Sequence, residues 1–300
     1  MMTEDSFDIG SFNLALQDIR SVDPDSLLPL SIGVGWPHRL SDWLFLLENG
    51  RGLVALDTIG RVCASAMWFI QDDDYATIGM MITPPRLQAR GTARHMMEHV
   101  IREIGPRAIG LNATRAAYRL YLNFGFTPER KVYQHQGIAV PSPSMPQPLN
   151  ATGEIRDITP DDMAEIHRLD STAYHADRRA ILTHLITVSD GAVLTDKNRI
   201  RGYALCRKFG RGRVIGPIIA QNEADAIALT RWYIRKHPGE FLRVDTRHQN
   251  GTFRDVLSAC GLQFYDTVTT MSLKRPVTTD NDFIDDNGPN IFGLASQTLG

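Results

Sequence analysis

The chain has 300 residues, of which 43% are hydrophobic and 22% charged, and its formal net charge is −2 at pH 7. This length predicts two globular domains. The near-zero charge argues against nucleic acid as a partner, which requires a basic face, and no apolar run reaches the roughly 18 residues of a membrane span.

The first half of the chain predicts an α/β unit. Apolar runs with strand-like alternation indicate strands, and apolar residues at helical spacing indicate helices. In chain order, the predicted elements are a strand at 12–20, helices between 24 and 48, strands near 52–57, 61–71 and 75–83, a helix at 92–104, a strand at 107–113, a helix at 115–124 and a strand at 126–137.

A proline-rich segment separates this unit from the rest of the chain. Four of the sixteen prolines lie in residues 141–148, which is typical of an extended, semi-rigid linker. The tail begins with Asp, Asn and Gly and turns apolar near its end, so we expect that end to dock on a domain. The predicted division is a domain at 1–140, a linker at 141–152, a domain at 153–276 and a tail at 277–300.

The second half repeats the pattern of the first. Its predicted elements are a strand at 154–158, a helix at 160–187, strands near 191–195, 200–208 and 212–219, a helix at 223–236, a strand at 240–246, a helix at 251–259 and a strand at 263–274. Three landmarks recur 136 positions later (158 − 22, for instance), which indicates two copies of one unit. They are Val22–Asp25 with Ile158–Asp161, Ile82 with Ile218, and Gly125–Phe126 with Gly261–Leu262.

A glycine loop, Gln88–Ala93, lies between the predicted strand at 75–83 and the predicted helix at 92–104. The first backbone N–H groups of a helix have no internal partner, and the helix dipole favours negative charge beside them. Gly91 lets the backbone approach a phosphate without a Cβ in the way. The loop therefore predicts a pyrophosphate site.

A second pattern follows about twenty residues later: a strand that ends at Thr114, a helix with Ala117, Leu120 and Tyr121 on one face, and the turn Gly125–Phe126. Together, Gln-x-x-Gly-x-Ala and Ala-x-x-Leu-Tyr-x-x-x-Gly-Phe resemble the acetyl-CoA-binding core of the GNAT N-acetyltransferase superfamily. The run Asn112–Tyr121, with Gly35–Arg39 and Asp42–Trp43, is similar to a bacterial tandem-GNAT subfamily whose C-terminal acetyltransferase-like domain is degenerate.

This resemblance implies an α/β fold of two tandem GNAT-like domains, each a twisted, mostly antiparallel mixed sheet flanked by helices. It also implies acetyl-CoA-dependent transfer of an acetyl group to a primary amine of a small molecule or peptide. A non-catalytic acyl-CoA-binding sensor is the alternative interpretation. Thr114 stands where many members have Asn. The implied acetyl-CoA contacts are Met80, Met81, Ile82, Gln88, Ala89, Arg90, Gly91, Thr92, Ala93, Arg94, Thr114 and Ala117.

Tyr121 occupies the position of the family's acid, where a phenol can donate a proton to the departing thiolate. The other interpretation of this side chain is core packing on an amphipathic helix. The general base is less evident. His38 and the acidic turn Asp72-Asp73-Asp74 are candidates for the base or for contacts with the acceptor. The alternative interpretation is that His38 makes a structural hydrogen bond and that the acidic turn is a solvated hairpin tip. Trp36 and Trp43 flank His38 and could cover the acceptor cleft or pack in the core.

The second half lacks these chemical groups. At the offset of 136, Gly91 maps to Ile227 and Tyr121 maps to Leu257, and no glycine lies between Gly216 and Gly239. The sequence therefore predicts one active site, in the first half, with the second half completing the acceptor site.

The remaining features favour a cytoplasmic protein. The start of the chain, Met-Met-Thr-Glu-Asp-Ser, has no signal-peptide pattern. Cys63, Cys206 and Cys260 are odd in number, far apart and set in apolar patterns, so we expect reduced, buried thiols and no metal site.

Overall fold

The computed structural model describes residues 5–9, 12–87, 91–141, 153–276 and 288–300. Within them, strands join in one continuous mixed sheet. The strands are β1 (Asp5–Ile9), β2 (Phe12–Asp18), β3 (Arg51–Leu56), β4 (Val62–Ile70), β5 (Tyr75–Ile82), β6 (Ala108–Ala113), β7 (Thr127–Ile138), β8 (Glu154–Asp157), β9 (Asp190–Asp196), β10 (Arg199–Phe209), β11 (Gly212–Ala220), β12 (Phe241–Thr246), β13 (Gln263–Leu273) and β14 (Asn290–Gly293).

Helices cover both faces of this sheet. They are α1 (Leu28–Gly33), α2 (Leu40–Asn49), α3 (Thr92–Ile104), α4 (Tyr118–Asn123), α5 (Met163–Tyr174), α6 (Arg179–Thr187), α7 (Glu223–Lys236) and α8 (Thr252–Ala259), with short 3-10 turns at Ile19–Ser21, Pro24–Leu27, Pro85–Leu87 and Pro160–Asp162. No described helix is both long and apolar enough to cross a membrane.

The two halves have the same strand order. In the first half, β2 to β5 form an antiparallel meander, and β5 then pairs with β6 in parallel through the crossover helix α3. In the second half, β8 to β11 form the meander, and β11 pairs with β12 in parallel through α7. This repetition confirms the predicted α/β fold of two GNAT-like units.

The last strand of each half lies in the sheet of the other half. The central order is β6-β13-β7-β12, so β13 of the second half separates β6 from β7, and β7 pairs with β12. In register, Ala113 of β6 faces Thr269 of β13, and Gln136 of β7 faces Arg243 of β12. Residues 1–140 alone therefore lack the partners that hold β7 in place.

Three main cores follow from this arrangement. One packs α3 and α4 on one face of the first half, and its counterpart packs α7 and α8 on the second half. The third lies on the opposite face and is shared, because Trp43 and Leu46 of α2 join the same buried cluster as Leu182 and Leu185 of α6. Burying apolar surface across both halves stabilises them as a unit.

Most predicted elements are present, and the exceptions have local causes. The predicted helix at 115–124 begins later, at Tyr118, because the Thr114 carbonyl accepts from the N–H groups of Ala117 and Tyr118 in a turn. The predicted helix at 160–187 is two helices, broken at His175, whose φ is 51°. Strand β1 was not predicted. All three cysteines are buried and unbridged, as expected.

Candidate active site

The parallel strands β5 and β6 separate at one end of the first half. Their pairing ends at Ile78 with Leu111, and the register of β5 against β4 shifts between Gly79 and Ile82. Met80 adopts a φ of 50° in this bulge, and the Ser65 hydroxyl donates to its carbonyl oxygen at 2.9 Å. A bulge re-aims the backbone and frees its polar groups, so the strands open into a cleft.

A cavity of about 270 Å³ occupies this opening. The first half contributes the two strand ends, the Trp36–His38 loop and the helix that carries Tyr121, while the second half and the tail contribute the opposite wall. The lining residues are Val34, Gly35, Trp36, Pro37, His38, Ile78, Gly79, Met80, Met81, Asn112, Thr114, Ala117, Tyr121, Gln134, Gln136, Phe209, Gly210, Arg211, Arg243, Tyr265, Asp266, Val268, Ser296, Gln297 and Thr298.

Tyr121 lies against this cavity on the short helix α4. The helix ends at Asn123, and Gly125, with a φ of 83°, reverses the chain so that the Phe126 N–H donates to the Tyr121 carbonyl at 3.1 Å. Tyr121 is 5% exposed, and its ring centroid lies 5.9 Å from that of Phe126. Burial raises the pKa of its phenol, so the hydroxyl keeps its proton at neutral pH. It thus both packs in the core and holds a proton beside the cavity.

The start of α3 has the features of an anion site. Gly91 stands at the N-cap with a φ of 98°, no side chain of a described residue caps the helix, and its first turn carries no acidic residue. A Cβ on Gly91 would meet no described atom within 4 Å, so the space beside the Gly91 Cα is open. The hydroxyl of Thr92 is buried without a hydrogen-bond partner. The backbone N–H groups at such a helix start fit a phosphate, whereas the Thr92 hydroxyl lies beneath the surface.

The predicted cofactor contacts lie partly along the cavity and partly at the start of α3. Met80, Met81, Thr114 and Ala117 line the cavity, whereas Ile82 is buried in the shared core. At the helix start, Thr92 is buried, Ala93 is half-buried, and the exposed Arg94 pairs with Glu98 at 3.2 Å. Gln88, Ala89 and Arg90 lie outside the described residues.

His38 faces the cavity in a hydrophobic and cationic setting. Its ring centroid lies 5.5 Å from that of Phe209, and its Nδ1 is buried without a hydrogen-bond partner. Burial lowers the pKa of His38 to about 4, with Arg243 and Arg207 acting in the same direction and Asp42 opposing them. The imidazole is therefore neutral at physiological pH, and the same burial makes it a weaker base than an ordinary histidine.

The two tryptophans beside His38 have different roles. Trp36 is half-buried and lines the cavity. Trp43 is fully buried in the shared core, where its indole N–H donates to the Ser31 hydroxyl at 3.2 Å. One of the two predicted cleft residues thus belongs to the site, and the other packs beneath it.

The acidic turn Asp72-Asp73-Asp74 is not part of this constellation. It joins β4 to the start of β5, whereas the cavity adjoins the end of β5. There Asp72 accepts from the backbone N–H groups of Asp74 at 2.8 Å and Asp177 at 3.2 Å. The turn thus lies at the end of β5 opposite the bulge, and none of its residues lines the cavity.

The residues from the tail are the ones that sequence reasoning missed. A Cβ on Gly79 would overlap the Thr298 side chain, so glycine permits the tail to approach β5. Asn112 of β6 donates to the Gln297 carbonyl at 2.9 Å. The apolar end of the tail indicated docking, but no pattern in the sequence indicated that it would cross the strand opening.

In the second half, the corresponding gap between β11 and β12 is filled. Strand pairing there ends at Val214 with Arg243, and β14 then pairs with the continuing β11. The Leu294 N–H donates to the Asp245 carbonyl at 2.8 Å, and a Cβ on Gly216 would overlap the Leu294 carbonyl oxygen. Polypeptide thus takes the place that is open in the first half.

The mapping at a constant offset is correct for Tyr121 and wrong for Gly91. Leu257 is the counterpart of Tyr121, because the Leu262 N–H donates to its carbonyl at 2.9 Å in the same helix-ending turn. The counterpart of Gly91 is Asn222, not Ile227, since the connection before α7 is only 221–222, against 83–91 before α3. Asn222 caps α7 by accepting from the Asp225 N–H.

Comparisons with known proteins agree with this architecture. A model of the acetyltransferase (GNAT) family matches residues 18–126, and a model of an acetyltransferase (GNAT) domain matches residues 166–284. No curated protein matches the chain.

Three solved structures illustrate the shared fold. A protein from Pyrococcus horikoshii proposed to be an acetyltransferase is 16% identical, with a TM-score of 0.74 over 100% of this chain and 99% of that one. A GCN5-related N-acetyltransferase from Sphaerobacter thermophilus is 15% identical, with a TM-score of 0.61 over 89% and 98%. A tandem GNAT protein from the clavulanic acid biosynthesis pathway is 14% identical, with a TM-score of 0.60 over 87% and 98%.

At these identities the structures show a common fold, while the two family matches cover both halves of the chain in turn. The chain therefore belongs to the GNAT acetyltransferase superfamily and carries two GNAT domains in tandem.

Proposed function

We propose that this protein transfers an acetyl group from acetyl-CoA to a primary amine, and that the reaction takes place in the first half. The observation that carries the proposal is one cavity that joins the strand opening to Tyr121 and His38. The corresponding opening of the second half holds β14. A site needs space as well as chemical groups, and only the first half has both among the described residues.

The residues of the first half fit CoA. The uncapped N–H groups at the start of α3 can hold the pyrophosphate, with Gly91 leaving room for it. Beyond Ile78 the backbone of β5 has no partner in β6, so the Met80 and Met81 peptide groups can pair with an extended chain. Acetyl-CoA, when bound there, supplies a thioester whose carbonyl carbon is open to attack by an amine.

Two side chains can then take part in proton transfer to the leaving thiolate and from the amine. Tyr121 holds a proton on its hydroxyl oxygen, because burial raises the pKa of the phenol, and it can release that proton to a leaving thiolate. His38 offers a neutral ring nitrogen to the amine, directly or through a water molecule, and its lowered pKa makes it a weak proton acceptor. Peptide N–H groups of the bulged β5 segment can stabilise negative charge that develops on the carbonyl oxygen.

Turnover of acetyl-CoA with a panel of amines, alcohols and thiols tests this proposal. Free thiol and N-acetylated product should appear in equal amounts with at least one primary amine, as measured by a thiol reagent and mass spectrometry. Reaction only with alcohols or thiols would contradict N-acetyl transfer. CoA binding with no turnover across the panel would favour the non-catalytic acyl-CoA sensor.

A further inference from the structure

The wall of the cavity that the second half supplies is cationic. The charged side chains that line the cavity, among the described residues, are Arg211, Arg243 and Asp266, of which Arg211 and Asp266 are exposed and Arg243 is half-buried. A buried guanidinium, that of Arg207, stands behind this wall, with its Cζ 4.7 Å from the ring centroid of Phe209. Positive charge in a partly buried wall favours a ligand with negative charge.

The counter-charges nearby are already engaged. Asp245 is fully buried and accepts from Arg243, whose Nη2 lies 2.8 Å from its Oδ2. Asp42 is buried, pairs with Arg39 at 3.4 Å and accepts from the Gly210 N–H at 3.0 Å. No carboxylate among the described residues lies within ion-pair distance of Arg207 or Arg211, so these two guanidinium groups keep a positive charge that no acidic side chain offsets at contact distance. Asp245 offsets the charge of Arg243.

Unused hydrogen-bond donors point to the same region. Ser296 lines the cavity, is 4% exposed, and its hydroxyl is buried without a partner. The neighbouring Ala295 carbonyl accepts from Arg207 Nη2 at 3.2 Å, while Arg207 Nε has no partner. A buried donor without a partner is costly unless a ligand or water satisfies it.

We propose that the acceptor is an amine that also carries a carboxylate, and that Arg211, Arg243 and Ser296 bind this carboxylate. The inference rests on the proposed function and narrows its substrate to amino acids, in the broad sense of one molecule with both groups. The carboxylate lies against the wall of the second half, and the amine is directed toward His38 and the strand opening. The second half thereby selects the molecule that the first half acetylates.

Matched pairs of acceptors test the inference. β-Alanine and 4-aminobutyrate are each compared with the corresponding amide, since both pairs keep the carboxylate away from the amine and limit its effect on amine basicity. Charge-assisted hydrogen bonds predict that kcat/KM favours the acid by about 10- to 100-fold in at least one pair. Equal kcat/KM values for acid and amide in both pairs would overturn the inference while leaving acetyl transfer in place.

Three variants test which residues cause the preference for the acid over the amide. Arg211→Gln removes an exposed guanidinium from the turn between β10 and β11, and Ser296→Ala removes only a hydroxyl, so both should fold. Each should reduce the preference for the acid severalfold. Lys208→Gln is the matched control, because Lys208 is an exposed cation on the same hairpin outside the cavity lining. A preference that survives both cavity variants would contradict the assignment.

Calorimetry separates this inference from the proposed reaction. The N-acetylated acids and their amides are titrated into the full chain saturated with CoA. Tighter binding of the N-acetylated acid, lost in Arg211→Gln, would support the carboxylate site even if no amine were acetylated. Absence of turnover together with equal binding of acid and amide would overturn the inference as well as the reaction.

Discussion

The first half leaves the gap between its two parallel strands open, whereas the second half fills the same gap with β14. The crossover helix also differs between the halves, because its first N–H groups are open in one half and capped in the other. In the first half Gly91 is at the N-cap and no described side chain caps the helix. In the second half Asn222 caps it, and Glu223 and Asp225 place negative charge in its first turn. One fold thus exists in a form with unsatisfied polar groups and in a form that satisfies them internally.

This difference indicates where binding arises in such a fold. Backbone N–H and C=O groups must find partners, and a strand end that separates from its neighbour exposes several at once. In the second half the tail provides those partners, so these hydrogen bonds stabilise the folded chain itself. In the first half they remain available to a ligand, and the tail instead passes beside the opening, where Gln297 meets Asn112.

The halves are nonetheless one structure. Strands β7 and β13 are exchanged between the two sheets, and the shared core joins α2 to α6. The cavity needs both halves, because Arg211 and Arg243 face it from the second half. In the second half β14 fills the strand gap, yet this half contributes a wall of the site that the first half forms.

The largest expected effect is on the chemical step. If the reaction belongs to the first half, Tyr121→Phe should lower kcat by about 10²- to 10⁴-fold, because it removes one proton donor while keeping the ring. CoA affinity should be nearly unchanged. Steady-state kinetics with the best acceptor measures the effect, with Tyr118→Phe on the same helix as the control. Wild-type turnover in Tyr121→Phe would leave Tyr121 a core residue only.

CoA affinity should show the next largest effect. Gly91→Asp places a carboxylate beside the pyrophosphate site and forces a side chain into a backbone with positive φ, so CoA affinity should fall about 100-fold or more. Asn222→Asp is the mirrored control in the second half, since Asp caps a helix as well as Asn does. Calorimetry should give one CoA per chain for the wild type and for Asn222→Asp. Two equal sites per chain would contradict the comparison.

Gly216 and Gly79, the two glycines that contact the tail, should differ in how much stability is lost when each is replaced by alanine. Gly216→Ala would drive a methyl group into the Leu294 backbone, which cannot yield easily, so Tm should fall by several degrees while CoA affinity is kept. Gly79→Ala would meet Thr298, first its methyl group and then its Cβ and Cα at 3.1 and 3.2 Å, so adding Thr298→Ala should restore part of the lost stability. Thermal unfolding of the three variants measures this. Equal losses of Tm in the two single variants, or no rescue, would contradict the assigned contacts.

The sequence predicted the repeat, most strands, the ends of α3 and α7, and the position of Tyr121, because these depend on local periodicity and turns. It could not predict the exchange of β7 and β13, since either pairing buries the same apolar faces. Contacts of the tail with Gly79 and Asn112 join residues far apart in the chain and leave no local pattern. The mapping of Gly91 to Ile227 failed because the helix connection is shorter in the second half.

The smallest expected effect concerns His38. Because burial and the guanidinium groups of the second half hold the pKa of His38 at about 4, the imidazole should stay neutral through the physiological range. Its NMR resonance, identified by its absence in His38→Gln, should titrate near pH 4.

The lowered pKa of His38 also makes the stability of the folded protein depend on pH. In the unfolded chain the imidazole regains its ordinary pKa of about 6.5, so as pH falls from about 6.5 toward 4 the unfolded chain binds a proton that the folded chain does not. The folded state therefore loses stability over that window. His38→Gln lacks this loss, so the Tm advantage of the wild type over the variant should shrink as pH decreases. Titration of His38 near its ordinary pKa would show that the wall formed by the second half does not control the charge of the proposed base.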